Sequence, residues 1–219
     1  MELAWGGETL LLRADRSIWL PRHATLLVAD LHVGKGQSFR RLGVPVPQGS
    51  SVESLDRLSA ALAETGARAL IVLGDLLHAA AARDGPAGAA LAAWRAAHPD
   101  LDLTLVRGNH DDRAGDPPAA LGFAVVDEPW PLGGLALAHH PRPQPGRAVL
   151  AGHIHPGLRL RAAGESLRLP CFHFDVRRQV GLLPAFGAFT GLHTVQPRPG
   201  DQTVLIAGPA LRRWPPAGA

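Results

Sequence analysis

The sequence predicts an α/β fold. Three observations carry that expectation: apolar runs of strand length, stretches of helical period lying between several of them, and polar residues that close five of the runs. Residues 9–13 form the first run. Thr25–Ala29 (TLLVA) is apolar after its first residue, the mark of a strand covered on both faces. Residues 50–64 follow as a helix, with Val52, Leu55, Leu58 and Leu62 at helical spacing and a Ser50 to Glu53 capping signal at the start. Ala69–Leu73 (ALIVL) is the next strand, residues 87–97 the next helix, and residues 101–106 the strand after it. Phe123–Val126, Leu135–Ala138, Ala148–Ala151 and residues 203–207 complete the strand set. Strands alternating with helices imply parallel β-α-β units in the first half, and short strands with turns imply an antiparallel or mixed portion in the second. The expected organisation is a single domain over residues 1–211 with a frayed C-terminal tail at 212–219.

Composition narrows the function classes. The chain has 219 residues, 46% of them hydrophobic and 19% charged, which suits one globular core and argues against disorder. No apolar run approaches membrane-spanning length, and the start MELAWGGETLLLRADR carries acid early without a basic leader, so neither a membrane nor export is expected. Cys171, the sole cysteine, permits no internal disulfide and no thiolate metal knot, which points to a reducing, cytoplasmic setting. With 22 Lys+Arg against 19 Asp+Glu the net charge is only +3, and Lys35 is the one lysine. The arginines are dispersed, with pairs at Arg40-Arg41, Arg177-Arg178 and Arg212-Arg213 but no basic arm, so nucleic-acid binding is permitted and not required. Eleven histidines in a chain without tyrosine are the unusual feature.

Those histidines gather where strands end. The closing motifs are LLVADLH (Asp30, His32), IVLGDLLH (Asp75, His78), LVRGNHD (Asn109, His110, Asp111), LALAHH (His139, His140) and VLAGHIH (His153, His155). In open α/β sheets ligands converge at the carboxyl ends of parallel strands, so these ends are expected to share one crevice. Carboxylate, imidazole and amide oxygen without thiolate suit Mn, Fe or Zn ions, and more than six ligands exceed one tetrahedral ion. Two divalent ions sharing a carboxylate would use the set, as a clamp for in-line attack on phosphorus by a shared hydroxide. The glycines before Asp75, Asn109 and His153 allow tight or positive-φ turns that bring ligand and backbone together. A D-x-H triplet arises by chance roughly half a time in such a chain, whereas GNHD arises about 0.001 times, so the ordered set is the signal.

The order D-x-H, GD, GNHD, H, GHxH resembles the signature of the calcineurin-like metallophosphoesterases, over about residues 24–156. That resemblance implies a four-layer α-β-β-α sandwich of two mixed β-sheets with a di-metal centre between them. It implies that Asp30, His32, Asp75 and His155 hold one ion, and that Asp75 bridges to a second held by Asn109, His139 and His153. His110 would stand near the leaving group; Asp111 is either a companion that orients it or a turn former. The segments LLVADLHVGKGQSFRRLGVPVPQG, AHHP, AGHIHP, LPCF and LPAFGAFTG are similar to the bacterial ligase-associated DNA-damage-response endonucleases. The resemblance implies a Mn²⁺-dependent phosphodiesterase or nuclease acting on phosphodiesters, with single-stranded or damaged DNA as candidate substrate and a DNA ligase and helicase as functional associates. One departure is His78, where the wider family often has the last Asp of GD-x-x-D.

Lys35, Arg40 and His78 are the candidate substrate contacts, and Phe39 is more simply a packing residue. His139 is preferred to His140 as ligand because it directly follows the strand. His23, His173 and His193 are expected to be ordinary polar residues, and Cys171 a small hydrophobe. The alternatives are a phosphomonoesterase or small-nucleotide hydrolase on the same scaffold, and a scaffold that has lost its chemistry. A tyrosinate-dependent ferric phosphatase is excluded because the chain has no Tyr.

Overall fold

The computed structural model describes residues 1–47, 49–83, 85–162 and 165–215. Its first sheet runs in sequence order: β1 (Glu2–Trp5), β2 (Glu8–Leu12), β3 (Ile18–Leu20), β4 (Thr25–Ala29), β5 (Ala69–Leu73), β6 (Asp102–Val106) and β7 (Phe123–Val126). The first four pair antiparallel, and β4 to β7 pair parallel. The helices are α1 (Lys35–Arg41), α2 (Ser50–Thr65), α3 (Pro86–Ala97) and α4 (Asn109–Ala114). Parallel neighbours need a crossover, and α2 and α3 supply those between β4, β5 and β6.

The second sheet holds β8 (Trp130–Leu132), β9 (Leu135–Ala138), β10 (Ala148–Ala151), β11 (Pro156–Ala162), β12 (Glu165–Asp175), β13 (Val180–Leu182), β14 (His193–Thr194), β15 (Gln202–Ala207) and β16 (Ala210–Trp214). Its spatial order is β14-β11-β12-β13-β10-β9-β8, with β15 pairing β12 and β16 closing on β15. Parallel pairs β9/β10 and β10/β13 sit among antiparallel ones, so the sheet is mixed.

Period-2 alternation sorts the apolar side chains into layers. From β4, Leu26 and Val28 face α2 and α3, where they meet Leu55, Leu58, Leu91 and Trp94. Leu27 and Ala29 face the other way, into a core with Leu137, Leu150, Phe172 and Phe174 of the second sheet. A third apolar cluster, including Val149, Cys171, Val180 and Val195, lies on the outer face of the second sheet. The expected α/β sandwich of two mixed sheets is present. Among the described residues every α-helix precedes β7, so the layer outside the second sheet is strand and loop. No helix of the described residues is long and apolar enough to cross a membrane.

Two local expectations are corrected. The α2 cap is Gly49 at φ +89°, without a side-chain cap bond, so Ser50 and Glu53 form no capping box. Ser51 instead accepts the Gly34 N–H at 3.0 Å, tying α2 to the loop after β4. Val52 is 46% exposed, because the buried face runs through Ser54, Leu55, Leu58, Ala61 and Leu62. Arg212–Trp214, expected in a frayed tail, belong to β16 and pair with Thr203–Leu205 of β15; residues 216–219 lie outside the described residues.

Candidate metal centre

Register builds the site. Ala29, Leu73, Val106 and Val126 stand level across β4 to β7, so Asp30, Gly74-Asp75, Gly108-Asn109 and Glu128 emerge from one edge. Ala138 stands level with Ala151, which does the same for His139 and His153 in the second sheet. The two edges meet. The Oδ1 of Asp30 lies 3.5 Å from His155 Nε2 and 3.8 Å from His139 Nδ1. Asp75 reaches His139 Nε2 at 3.5 Å and His32 Nε2 at 3.7 Å. Asp30, Asp75, His32 and His139 are all buried, and all seven expected ligands converge.

Backbone strain accompanies this convergence. Asp30, His32, Asp75, His153 and His155 all have φ between +48° and +68°, a left-handed region that costs a non-glycine residue about 1–3 kcal/mol. Gly74 precedes one of them at φ +76°, and a Cβ there would stand 2.1 Å from His139 Nδ1. Gly152 serves by close approach, because a Cβ would meet Asp30 Oδ2 at 2.7 Å.

Imidazole nitrogens pack closely across the centre. His139 Nδ1 donates to the Leu73 carbonyl at 3.1 Å, which turns Nε2 toward the centre. That nitrogen faces Asn109 Oδ1 at 2.9 Å and His153 Nδ1 at 3.0 Å. Both ring nitrogens of His32 are buried without a partner. Burial, then Lys35 and neighbouring histidines, holds His32 far below the usual imidazole range, and burial and the His139 and His140 rings lower His153. Imidazole nitrogens, two buried carboxylates and an amide oxygen that converge in this way fit divalent cations. The donors fall into overlapping groups, Asp30 with His32 and His155, and Asp30 with Asp75 and His139. Hard oxygen and imidazole donors are those of a divalent-metal site.

The remaining candidates divide. His110 sits beside the donors, its backbone N–H on Asp75 Oδ1 at 2.9 Å and its ring 5.0 Å from that of His32. His78 is brought there too: its carbonyl accepts from His110 Nδ1 at 3.0 Å and its ring stacks on His110 at 5.0 Å. Burial, Lys35 and His110 lower His78 to about 4. Lys35 is held below the usual lysine range by burial, against the pull of Asp30 and Asp75. Arg40 is turned away, donating to the Pro47 carbonyl at 2.9 Å.

Asp111 takes the second of its two expected parts, forming a turn and not orienting His110. Its carboxylate makes no contact with the His110 ring and accepts instead the N–H groups of Asp75 (2.7 Å), Gly108 (3.0 Å), Leu76 (3.0 Å) and Leu77 (3.4 Å). It is a positioning residue that fixes the Asp75 loop, since the first turn of α4 aims it back at that loop. Burial pushes it up to about 6 although its backbone donors oppose the rise.

Sequence reasoning missed Glu128. Its Oε2 accepts the N–H groups of His139 and His140, both at 2.7 Å, and its Oε1 meets His140 Nδ1 at 2.7 Å. Burial would raise its carboxyl, but these His140 and His139 bonds pull it below its ordinary value. Glu128 follows β7 as Asp75 follows β5, so the strand-end rule that found the ligands would have found it. The LPAFGAFTG segment also gains a place: Phe186 N–H bonds Ala29 O at 2.8 Å and Gly187 N–H bonds Asp30 O at 3.1 Å. Arg57 lies over the Phe186 ring at 4.4 Å and Arg16 holds the Ala185 carbonyl at 3.1 Å, clamping that segment to the Asp30 strand end.

Known proteins place the chain. It aligns with the crystal structure of the Pseudomonas putida nuclease MPE at 44% identity and TM-score 0.84, over 94% of this chain and 96% of that one. The chain belongs to that nuclease's metallophosphoesterase family. An E. coli phosphoesterase, Yfce, aligns at 16% identity and TM-score 0.38 over 86% of this chain and 90% of that one. No protein-family model and no curated protein matches the chain.

Proposed function

We propose that the protein is a phosphodiesterase that hydrolyses nucleic acid with the help of two divalent ions, as the nuclease of its family suggests. The observation that carries this reading is the convergence of Asn109 Oδ1 and His153 Nδ1 on His139 Nε2, at 2.9 and 3.0 Å, beside the buried carboxylates of Asp30 and Asp75. Asp30, His32, Asp75 and His155 would hold one ion, and Asp75, Asn109, His139 and His153 the other. Such ions, when bound, lower the pKa of water and offset charge on the phosphoryl group. His110, oriented through Nδ1 by the His78 carbonyl, presents Nε2 to the departing oxygen and holds the proton that it needs. Lys35 adds a cation beside the nonbridging oxygens. Donors without thiolate suit Mn, Fe or Zn, Cys171 being buried in the outer cluster of the second sheet, and the family resemblance makes Mn²⁺ the choice among them. DNA as substrate, a cytoplasmic location and work beside a DNA ligase and helicase extend the same reading.

The test uses metal-stripped protein refilled with Mn²⁺ and given a chromogenic phosphodiester or the matching monoester, with Asp75→Asn as blank. Diester hydrolysis that disappears in the blank is expected. Monoester preference would move the function to a phosphatase, and full activity in the blank would refute the assignment of the centre.

A further inference from the structure

A groove of about 430 Å³ opens on the outer face of the second sheet, where no helix of the described residues covers the apolar cluster. Its volume lies within the roughly 300–1,000 Å³ of ordinary ligand sites. Two of its walls come from the metal-binding loops: Pro141 directly follows His139-His140, and Ile154 separates His153 from His155. Consecutive Cα atoms are about 3.8 Å apart, so the groove begins within a residue or two of the donors. Its lining is mixed: Ile154, Val180, Leu182 and Val195 form the apolar part, the last three almost fully buried, and His173, Thr194 and Gln196 add polar groups. Its rim carries the exposed side chains of Arg178, Arg198 and His193.

The two guanidinium groups at this rim stand outside ion-pairing distance. Among the described residues no carboxylate lies within 4.0 Å of the Arg178 or Arg198 guanidinium, in contrast to Arg13 and Arg107, which each hold at least two. Asp175 in the lining accepts the Arg178 backbone N–H at 2.9 Å and Asp201 beside it accepts the Arg198 backbone N–H at 2.8 Å, so both acids bind main chain and neither pairs with a guanidinium. Arg178 Nη2 donates to the Pro141 carbonyl at 3.2 Å, which sets this cation between the metal loop and the groove. Two exposed guanidinium groups beside a partly apolar groove match a nucleotide, whose phosphate meets the arginines while its sugar and base lie along the groove.

Resting on the nuclease reading above, we infer that this groove seats the nucleotide next to the scissile phosphodiester of a single-stranded nucleic acid, with Arg178 and Arg198 on its backbone. The groove then adds a subsite that only a polymer can fill.

Arg198→Glu is the cleaner variant, because the Arg198 side chain makes no contact with the metal loops, and Arg178→Ala/Arg198→Ala is the second. Both are assayed with single-stranded deoxy- and ribo-oligonucleotides and with a small chromogenic diester, in Mn²⁺. The groove predicts that kcat/KM for the oligonucleotide falls about tenfold more than for the diester. It also predicts that the double variant loses about 1.4 from the slope of log binding against log salt, about 0.7 for each phosphate contact. The deoxy and ribo arms show which sugar the groove accepts. Equal losses on oligonucleotide and diester, or an unchanged salt slope, would overturn the inference while leaving the nuclease reading intact. Parent protein that cleaves the diester but no oligonucleotide would overturn the nuclease reading, and the subsite with it.

Discussion

Replacing Asp111 by Ala removes the acceptor of four backbone N–H groups in a residue that is 1% exposed. Three of those bonds are 2.7–3.0 Å long, and the fourth, at 3.4 Å, is weak. A buried donor left without a partner costs about 1–3 kcal/mol. Burial lifts this carboxyl to about 6, so the native ion is itself incompletely compensated, which sets the expected loss at the low end, about 3 kcal/mol for the three good bonds. At about 2–4 °C per kcal/mol for a chain of this size, the melting temperature falls by about 6–12 °C. The Asn variant keeps one carbonyl oxygen but turns an amide NH₂ toward N–H groups, and is expected to lose about half as much. The assay is urea and thermal unfolding followed by circular dichroism at pH 7.5, where the carboxyl is ionised, with metal content measured in parallel. Since Asp111 fixes the Asp75 backbone, metal affinity falls with stability. An Ala variant within about 1 kcal/mol of the parent and with full metal occupancy would refute the argument that this carboxylate holds the loop.

Other outcomes follow from the same geometry. Gly74→Ala would drive a Cβ to 2.1 Å from His139 Nδ1 at a positive φ, and is expected to displace that ring and lose bound metal, read by elemental analysis. His139→Ala is expected to remove a donor outright, whereas His140→Ala removes only the partner of Glu128 and weakens metal affinity by roughly 10–100-fold; titration calorimetry separates the two. Burial pushes the Cys171 thiol up to about 12 from an ordinary value near 9.0. The folded chain therefore keeps a proton that the unfolded chain releases, and stability present below pH 9 is lost as pH rises toward 12. Between pH 8 and pH 10 the parent should lose about 1.4 kcal/mol more than Cys171→Ala, measured by urea midpoints; equal losses would contradict the burial of an unionised thiol.

The site was more legible in the sequence than the sheets that carry it. Asp30, Asp75 and His153 each close an apolar run, and parallel register leaves such ends level, so convergence could be expected without coordinates. Glu128 escaped because β7 is only partly buried and its run ends in two acids rather than in a ligand triplet. The two readings of Asp111, as a partner of His110 or a turn former, could not be separated because sequence adjacency hides the turn of α4 that points the two side chains apart. Strands β1, β3, β8, β11 to β14 and β16 went unread. Several are short or edge strands whose alternation is weak, and β12 is an 11-residue strand with an exposed first half and a buried second half. Val52 fits a helical repeat yet faces solvent, since the buried stripe is set by what α2 packs against and not by period alone.

The central claim is that two divalent ions seated on these donors confer phosphodiester hydrolysis. Its most direct test is to titrate Mn²⁺ into stripped protein while recording bound metal and diester hydrolysis together, beside Asp75→Asn. The account predicts two ions per chain, activity that rises with their binding, and loss of both in the variant. Full hydrolysis by metal-free protein, or two ions bound equally well without Asp75, would contradict it.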